Sequence, residues 1–144
     1  MLLQKLNRKR VKEINRKIEK RFGVNPNFKG LFSEGNWIYI YTGKENLTEI
    51  SGVVSAGLNI GKFRDEFMPT IEGAQIINPG KNYFMLKSSK DALTWMQGND
   101  LFAGDTGCEV GYVIVISGDD ILGSGMYDGR IIRNRLAKNR KLKM

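Results

Sequence analysis

Histidine is absent from this 144-residue chain. A Ser-His-Asp triad, a Cys-His pair and any histidine-ligated metal site are thereby excluded. Cysteine occurs once, as Cys108, which excludes an internal disulfide and a cysteine cluster for zinc or iron–sulfur. A single cysteine also favours a reducing, intracellular setting. No apolar run reaches 18 residues, so no transmembrane helix is expected. The opening MLLQKLNRKR is basic but lacks the apolar stretch of a signal peptide.

The residues present suit a packed globule. Apolar residues make up 41% of the chain, near the average for folded domains, and the length predicts one domain or two small ones sharing a core. Net charge is +8 and very unevenly spread. Residues 1–21 carry nine Lys/Arg against two acids, and residues 128–144 carry seven against one. The stretch between them holds seven against twelve. Two basic ends around an acidic middle point to an anionic partner, a nucleic acid or a membrane surface.

Apolar spacing predicts a helix over residues 3–22, with Leu3, Val11, Ile14, Ile18 and Phe22 on one face and Gly23 as its stop. NWIYIYT (36–42) reads as a strand between Gly35 and Gly43. Residues 45–56 read as a short helix, and the glycines of Ala56–Phe63 suggest a helix stop and a close backbone approach at a turn. TIEGAQII, before the Asn78-Pro79-Gly80 turn, reads as a helical turn, and NYFMLK (82–87) as a strand. A helix capped by Ser88 or Ser89 follows, ending at Gly98. Beyond it the pattern is all β: a strand at 111–116, a turn at 117–120 and a Gly-punctuated strand at 121–126. Asp128-Gly129 then turns into a last strand over 130–136 and a frayed basic tail.

Motifs that suggest chemistry fail on their details. The run from Gly118 to Gly125 lacks the Gly-Lys-Ser/Thr of a phosphate loop. Asp119-Asp120 and Asp65-Glu66 read as solvated acids, and Cys108 has acidic neighbours and no base to activate it. The basic clusters fare better. Arg133 and Arg135, at i and i+2, share a face if both are on a strand, and paired guanidiniums suit phosphate or base contact. With Arg130, Lys138, Arg140 and Lys141 they form one candidate RNA surface. Arg8, Lys9 and Arg10 form a second, and Lys62 and Arg64, flanking Phe63, are candidates to extend the RNA surface. Tyr127 is a candidate for base stacking, with core packing as its other role.

The order of motifs resembles a known family. GYVIVISGDDILGSGMYDGRIIRN resembles a PUA domain, the RNA-binding β-barrel of pseudouridine synthases and archaeosine transglycosylases, with Leu122-Gly123-Ser124-Gly125 as its Leu-Gly-x-Gly step. VSAGLNIGKF (54–63) and Trp95-Met96-Gln97-Gly98-Asn99-Asp100 are similar to segments of the Nip-seven ribosome-biogenesis proteins. GRIIRNRLAKNRKL (129–142) is similar to the end of the Nop/Sun (Fmu) RNA cytosine-methyltransferase family. There a Gly-x-x-x-Asn stretch precedes Pro-Lys-x-x-Arg. The match spans about residues 45–142 and departs at Ile121 and Ala137, where relatives commonly have proline.

The resemblance implies an α+β fold, with an N-terminal α/β pre-PUA-like part (1–94) packed on a C-terminal PUA-like β-barrel with a basic tail (95–144). It implies a stand-alone, cytoplasmic, archaeal RNA-binding protein for rRNA or tRNA maturation in ribosome biogenesis. The expectation includes no catalysis, no cofactor, no metal and no membrane. The methyltransferase domain, with its cofactor loop and paired cysteines, has no counterpart in the chain. Two other readings stay open: an RNA-modifying enzyme, and a protein-interaction module that docks onto a separate RNA methyltransferase or pre-ribosomal factor.

Overall fold

The computed structural model describes residues 3–41 and 57–142. The first helix, α1, spans Arg8–Phe22. It starts later than the apolar spacing predicted because Asn7 caps it, its side-chain oxygen accepting from the Arg10 N–H at 2.8 Å. Gly23, at φ +76°, ends it. Val11, Ile14, Ile18 and Phe22 are buried. Asn15 is buried among them, because its amide exchanges two hydrogen bonds with the Phe28 backbone, at 2.9 and 3.0 Å.

The residues before Asn7 form a strand. β1 (Gln4–Lys5), β2 (Phe32–Glu34), β3 (Trp37–Tyr41), β4 (Gly57–Phe63) and β5 (Phe67–Pro69) build one antiparallel sheet in chain order. Gly57–Phe63 is thus a strand where its glycines suggested a turn. The β3–β4 register skips Ile60, a β-bulge. The helix expected at 45–56 lies outside the described residues. Across β3, β4 and β5, Trp37, Lys62 and Met68 stand side by side, while the next pair along, Phe63 and Phe67, faces the other way. Phe63 and Phe67 join the core under α1, so Trp37, Lys62 and Met68 are on the sheet face away from that helix.

α2 (Ile71–Ile77) follows, capped by Thr70. Gly73 of α2 lies so close to β4 that a Cβ there would fall 1.8 Å from the Ile60 carbonyl oxygen. α3 (Ser89–Met96) is capped by Ser88, which accepts from the Asp91 N–H at 3.1 Å. A second sheet has the order β6 (Tyr83–Met85), β8 (Gly111–Ser117), β9 (Asp120–Tyr127), β10 (Ile131–Asn134), β7 (Leu101–Phe102). β6 pairs with β8 in parallel, and the other pairings are antiparallel. One of the two sheets curls into a half-barrel.

Each sheet has its own apolar core, but the two units are stitched together. Ile114 of β8 packs into the core under α1. The Arg21 guanidinium donates to the carbonyls of Tyr112 (2.7 Å), Glu109 (2.7 Å) and Val110 (3.2 Å), and burial lowers its pKa against the pull of Glu109. The Asn82 side chain closes the same joint, donating to the Arg21 carbonyl at 2.6 Å and accepting from the Glu109 N–H at 2.9 Å.

The C-terminal segment differs from the frayed tail expected. β10 ends at Asn134, and the chain then folds back. Leu136 is buried, Lys138–Arg140 forms a 3-10 turn, and the Leu142 N–H donates to the Met96 carbonyl at 2.6 Å. Among the described residues, no helix is long and apolar enough to cross a membrane.

Candidate functional site

A cleft of about 280 Å³ opens where the two sheets meet. Trp37, Met68 and Thr70 line it from the first sheet and its exit, Glu72 from α2, and Arg135 and Arg140 from the segment after β10. The Ser124 hydroxyl, buried in β9, donates to the Pro69 carbonyl at 2.6 Å and ties the walls together. Thr70 donates to the Asn59 carbonyl at 2.8 Å. The lining therefore spends most of its own polar groups internally.

What remains available is one aromatic face and a cationic rim. Trp37 is half-buried, and the Lys62 ammonium sits 5.6 Å from its ring centroid. Arg135 is exposed and forms no ion pair among the described residues. Arg140 pairs with Glu72 Oε1, while the buried Oε2 has no hydrogen-bond partner. A planar ring with cations beside it accepts a stacked base and its phosphate.

The other predicted contacts are placed differently. Arg133 lies on β10, while Arg135 falls one residue past its end at Asn134, its N–H donating to the Ser124 carbonyl at 3.2 Å. Arg133 lies 3.8 Å from an Asp100 oxygen and 3.7 Å from an Asp128 oxygen. Arg130 stacks 5.4 Å from the centroid of Phe102, which is 75% exposed. Arg10 turns to Glu13 and lies 4.5 Å over Phe63, away from the exposed Arg8 and Lys9. Arg64 is exposed in the bend after β4, and Lys138 in the 3-10 turn. The Lys141 stem packs on Gly98. Tyr127 is 2% exposed, donating to the Gly104 carbonyl at 2.6 Å and accepting from the Thr106 N–H at 3.1 Å, so it is a core residue and no stacking group. Trp37 and Glu72 were missed in the sequence, where a strand aromatic and a helix acid carry no distinguishing signal.

The motif residues that carried the family resemblance hold this region in shape. The Trp95 indole donates to the Leu122 carbonyl at 3.0 Å. Asn134 donates to the carbonyls of Trp95 (2.8 Å) and Asn99 (3.1 Å), and its own N–H reaches Asp100 at 2.8 Å. A Cβ at Gly125 would fall 2.3 Å from Ile132 and 2.9 Å from the Trp95 ring. The Leu-Gly-x-Gly step is there to let strand, tryptophan and β10 close on one another.

The fold is similar to that of a PUA domain protein. Among solved structures the chain is similar to a conserved PUA domain protein from Thermoplasma acidophilum, with a TM-score of 0.65 and 16% identity. The likeness covers 96% of this chain and 97% of that one. The sequence matches no described family and no curated protein.

Proposed function

We propose that the protein is a non-catalytic, cytoplasmic RNA-binding protein of the Nop/Sun kind that acts on rRNA or tRNA during maturation. PUA domains generally bind RNA, and the observation that carries the reading is the cleft. Trp37, Arg135 and Arg140 line a space that fits one nucleotide, and the Lys62 ammonium stands beside the Trp37 ring. An unpaired base stacks on Trp37, and its phosphate meets the Arg135 guanidinium, which no carboxylate holds among the described residues.

Trp37 also supplies the readout. Trp95 is fully buried, so quenching of tryptophan fluorescence on adding single-stranded RNA reports stacking at Trp37. The expected result is saturable quenching, lost in Trp37→Leu and weakened about tenfold or more in Arg135→Ala, in line with a charged contact of roughly 1–3 kcal/mol. Unaltered affinity in both folded variants moves the RNA off this cleft.

A further inference from the structure

We propose that the outward face of α1 is a second, separate nucleic-acid surface, shaped for the phosphate backbone of an RNA duplex. Eight cations lie on α1. Three of them are neutralised: Arg10 pairs with Glu13, Lys17 with Glu66 and Arg21 with Glu109. The other five, Arg8, Lys9, Lys12, Arg16 and Lys20, are all exposed, and none forms an ion pair among the described residues. At ~100° per residue these five fall within an arc of about 120°. The buried residues Val11, Ile14, Ile18 and Phe22 occupy a different arc. Of the two acids on the helix, Glu13 is held by Arg10, and Glu19 accepts from the Asn25 amide at 3.4 Å.

Length and shape select the ligand. From Arg8 to Lys20 the row runs about 18 Å at ~1.5 Å per residue. A strand of B-form DNA presents one phosphate per roughly 3.4 Å of axis, and an A-form RNA strand spaces them more closely along its axis, so a row of this length spans at least about five phosphates. The row contains no aromatic side chain, which separates it from the cleft: it has nothing on which an unpaired base stacks. A rigid helix matches the fixed phosphate row of a duplex, which is recognised by shape and backbone. Insertion into a membrane is disfavoured, since the apolar face of α1 is already sealed in the core, with Ile14 and Ile18 wholly buried.

Placement makes the two surfaces independent. The cleft opens on the sheet face bearing Trp37 and Met68, whereas α1 covers the face bearing Phe63 and Phe67. One short RNA strand does not reach both. The protein then bridges an unpaired segment on one side and a helical segment on the other.

The test uses the full chain, a 20-base-pair RNA duplex and a six-nucleotide single strand. The stripe variant carries Arg8→Gln, Lys9→Gln, Lys12→Gln, Arg16→Gln and Lys20→Gln, which keep helix propensity. It is expected to bind the duplex at least tenfold more weakly at 0.1 M salt, with the salt slope reduced by about 3 to 4. Its binding of the short strand at Trp37 is expected to stay within about twofold. Should this variant melt early, Lys12→Gln with Arg16→Gln is expected to lower the slope by about half as much. Duplex binding unchanged in a folded stripe variant overturns the proposal. So does competition between duplex and short strand for one site, or binding of phosphatidylserine vesicles in preference to the duplex. Failure of the short strand to bind at all touches only the reading of the cleft.

Discussion

The hydroxyl of Ser124 donates a 2.6 Å hydrogen bond to the carbonyl of Pro69, from the second sheet to the end of the first. Ser124 is 3% exposed, so water cannot replace it. Ser124→Ala leaves a buried acceptor unpaired and is expected to cost about 1–3 kcal/mol, read as a lower urea midpoint with the slope unchanged.

Gly73 and Gly125 meet different obstacles, and their alanine variants separate them. At Gly125 the nearest neighbour is the Ile132 side chain, and overpacking of that kind costs roughly 1–3 kcal/mol. At Gly73 the obstacle is the backbone oxygen of Ile60, which cannot rotate away. Gly73→Ala is therefore expected to be the more destabilising in thermal melts, although alanine favours a helix more than glycine does.

Asn134→Leu removes three side-chain hydrogen bonds: two that join β10 to the end of α3 through the Trp95 and Asn99 carbonyls, and one that its amide oxygen accepts from the Leu136 N–H. At about 1 kcal/mol each, with a penalty for the orphaned carbonyls, a loss of about 3 kcal/mol is expected in denaturant unfolding. Arg135→Ala, one residue on and exposed, is expected to leave stability nearly unchanged, which distinguishes a structural position from a binding one.

The backbone N–H groups of Ile131 and Arg130 hold the Asp128 carboxyl below the usual carboxylate range, aided by Arg133 and Arg130. A depressed folded pKa stabilises the protein above the unfolded value of about 3.9, and that contribution disappears as pH falls through the folded pKa. Asp128→Asn is expected to be less stable than the parent at pH 7. The gap in urea midpoint should close between about pH 4 and the acid limit of folding.

Methyl transfer from S-adenosylmethionine to total RNA is expected to stay at background. Cys108 is half-buried, its N–H donates to the Thr106 hydroxyl at 3.1 Å, and its sulfur lies 3.5 Å from the Tyr83 carbonyl oxygen. Incorporation that vanishes in Cys108→Ser would show an activity this reading excludes.

The parts legible in the sequence are those where local chemistry and tertiary packing agree. Ser88, Thr70 and Gly23 cap their helices in the positions their types favour, and the β8–β9 hairpin follows from its turn and flanking strands. The motif from Trp95 to Asp100 is legible as a pattern, while its role as a bracket for Asn134 emerges only from the fold. β1, β2 and β7 run two or three residues each, too short for a period to register. The cleft was hidden for a related reason. Trp37 and Arg135 lie far apart in sequence, and the face each takes depends on the register of one sheet and the end of a strand in the other.

The segment after β10 acts as a clasp fastened at both ends, by Leu136 in the core and by Leu142 on the last turn of α3. Between these fastenings it presents Lys138 and Arg140 at an exposed turn, which is good substrate for a trypsin-like protease. A single cut there would leave both sheets intact, yet release the wall of the cleft that carries Arg140. Nicking at this turn, and its slowing by bound RNA, would make the clasp a reporter of occupancy that needs no label.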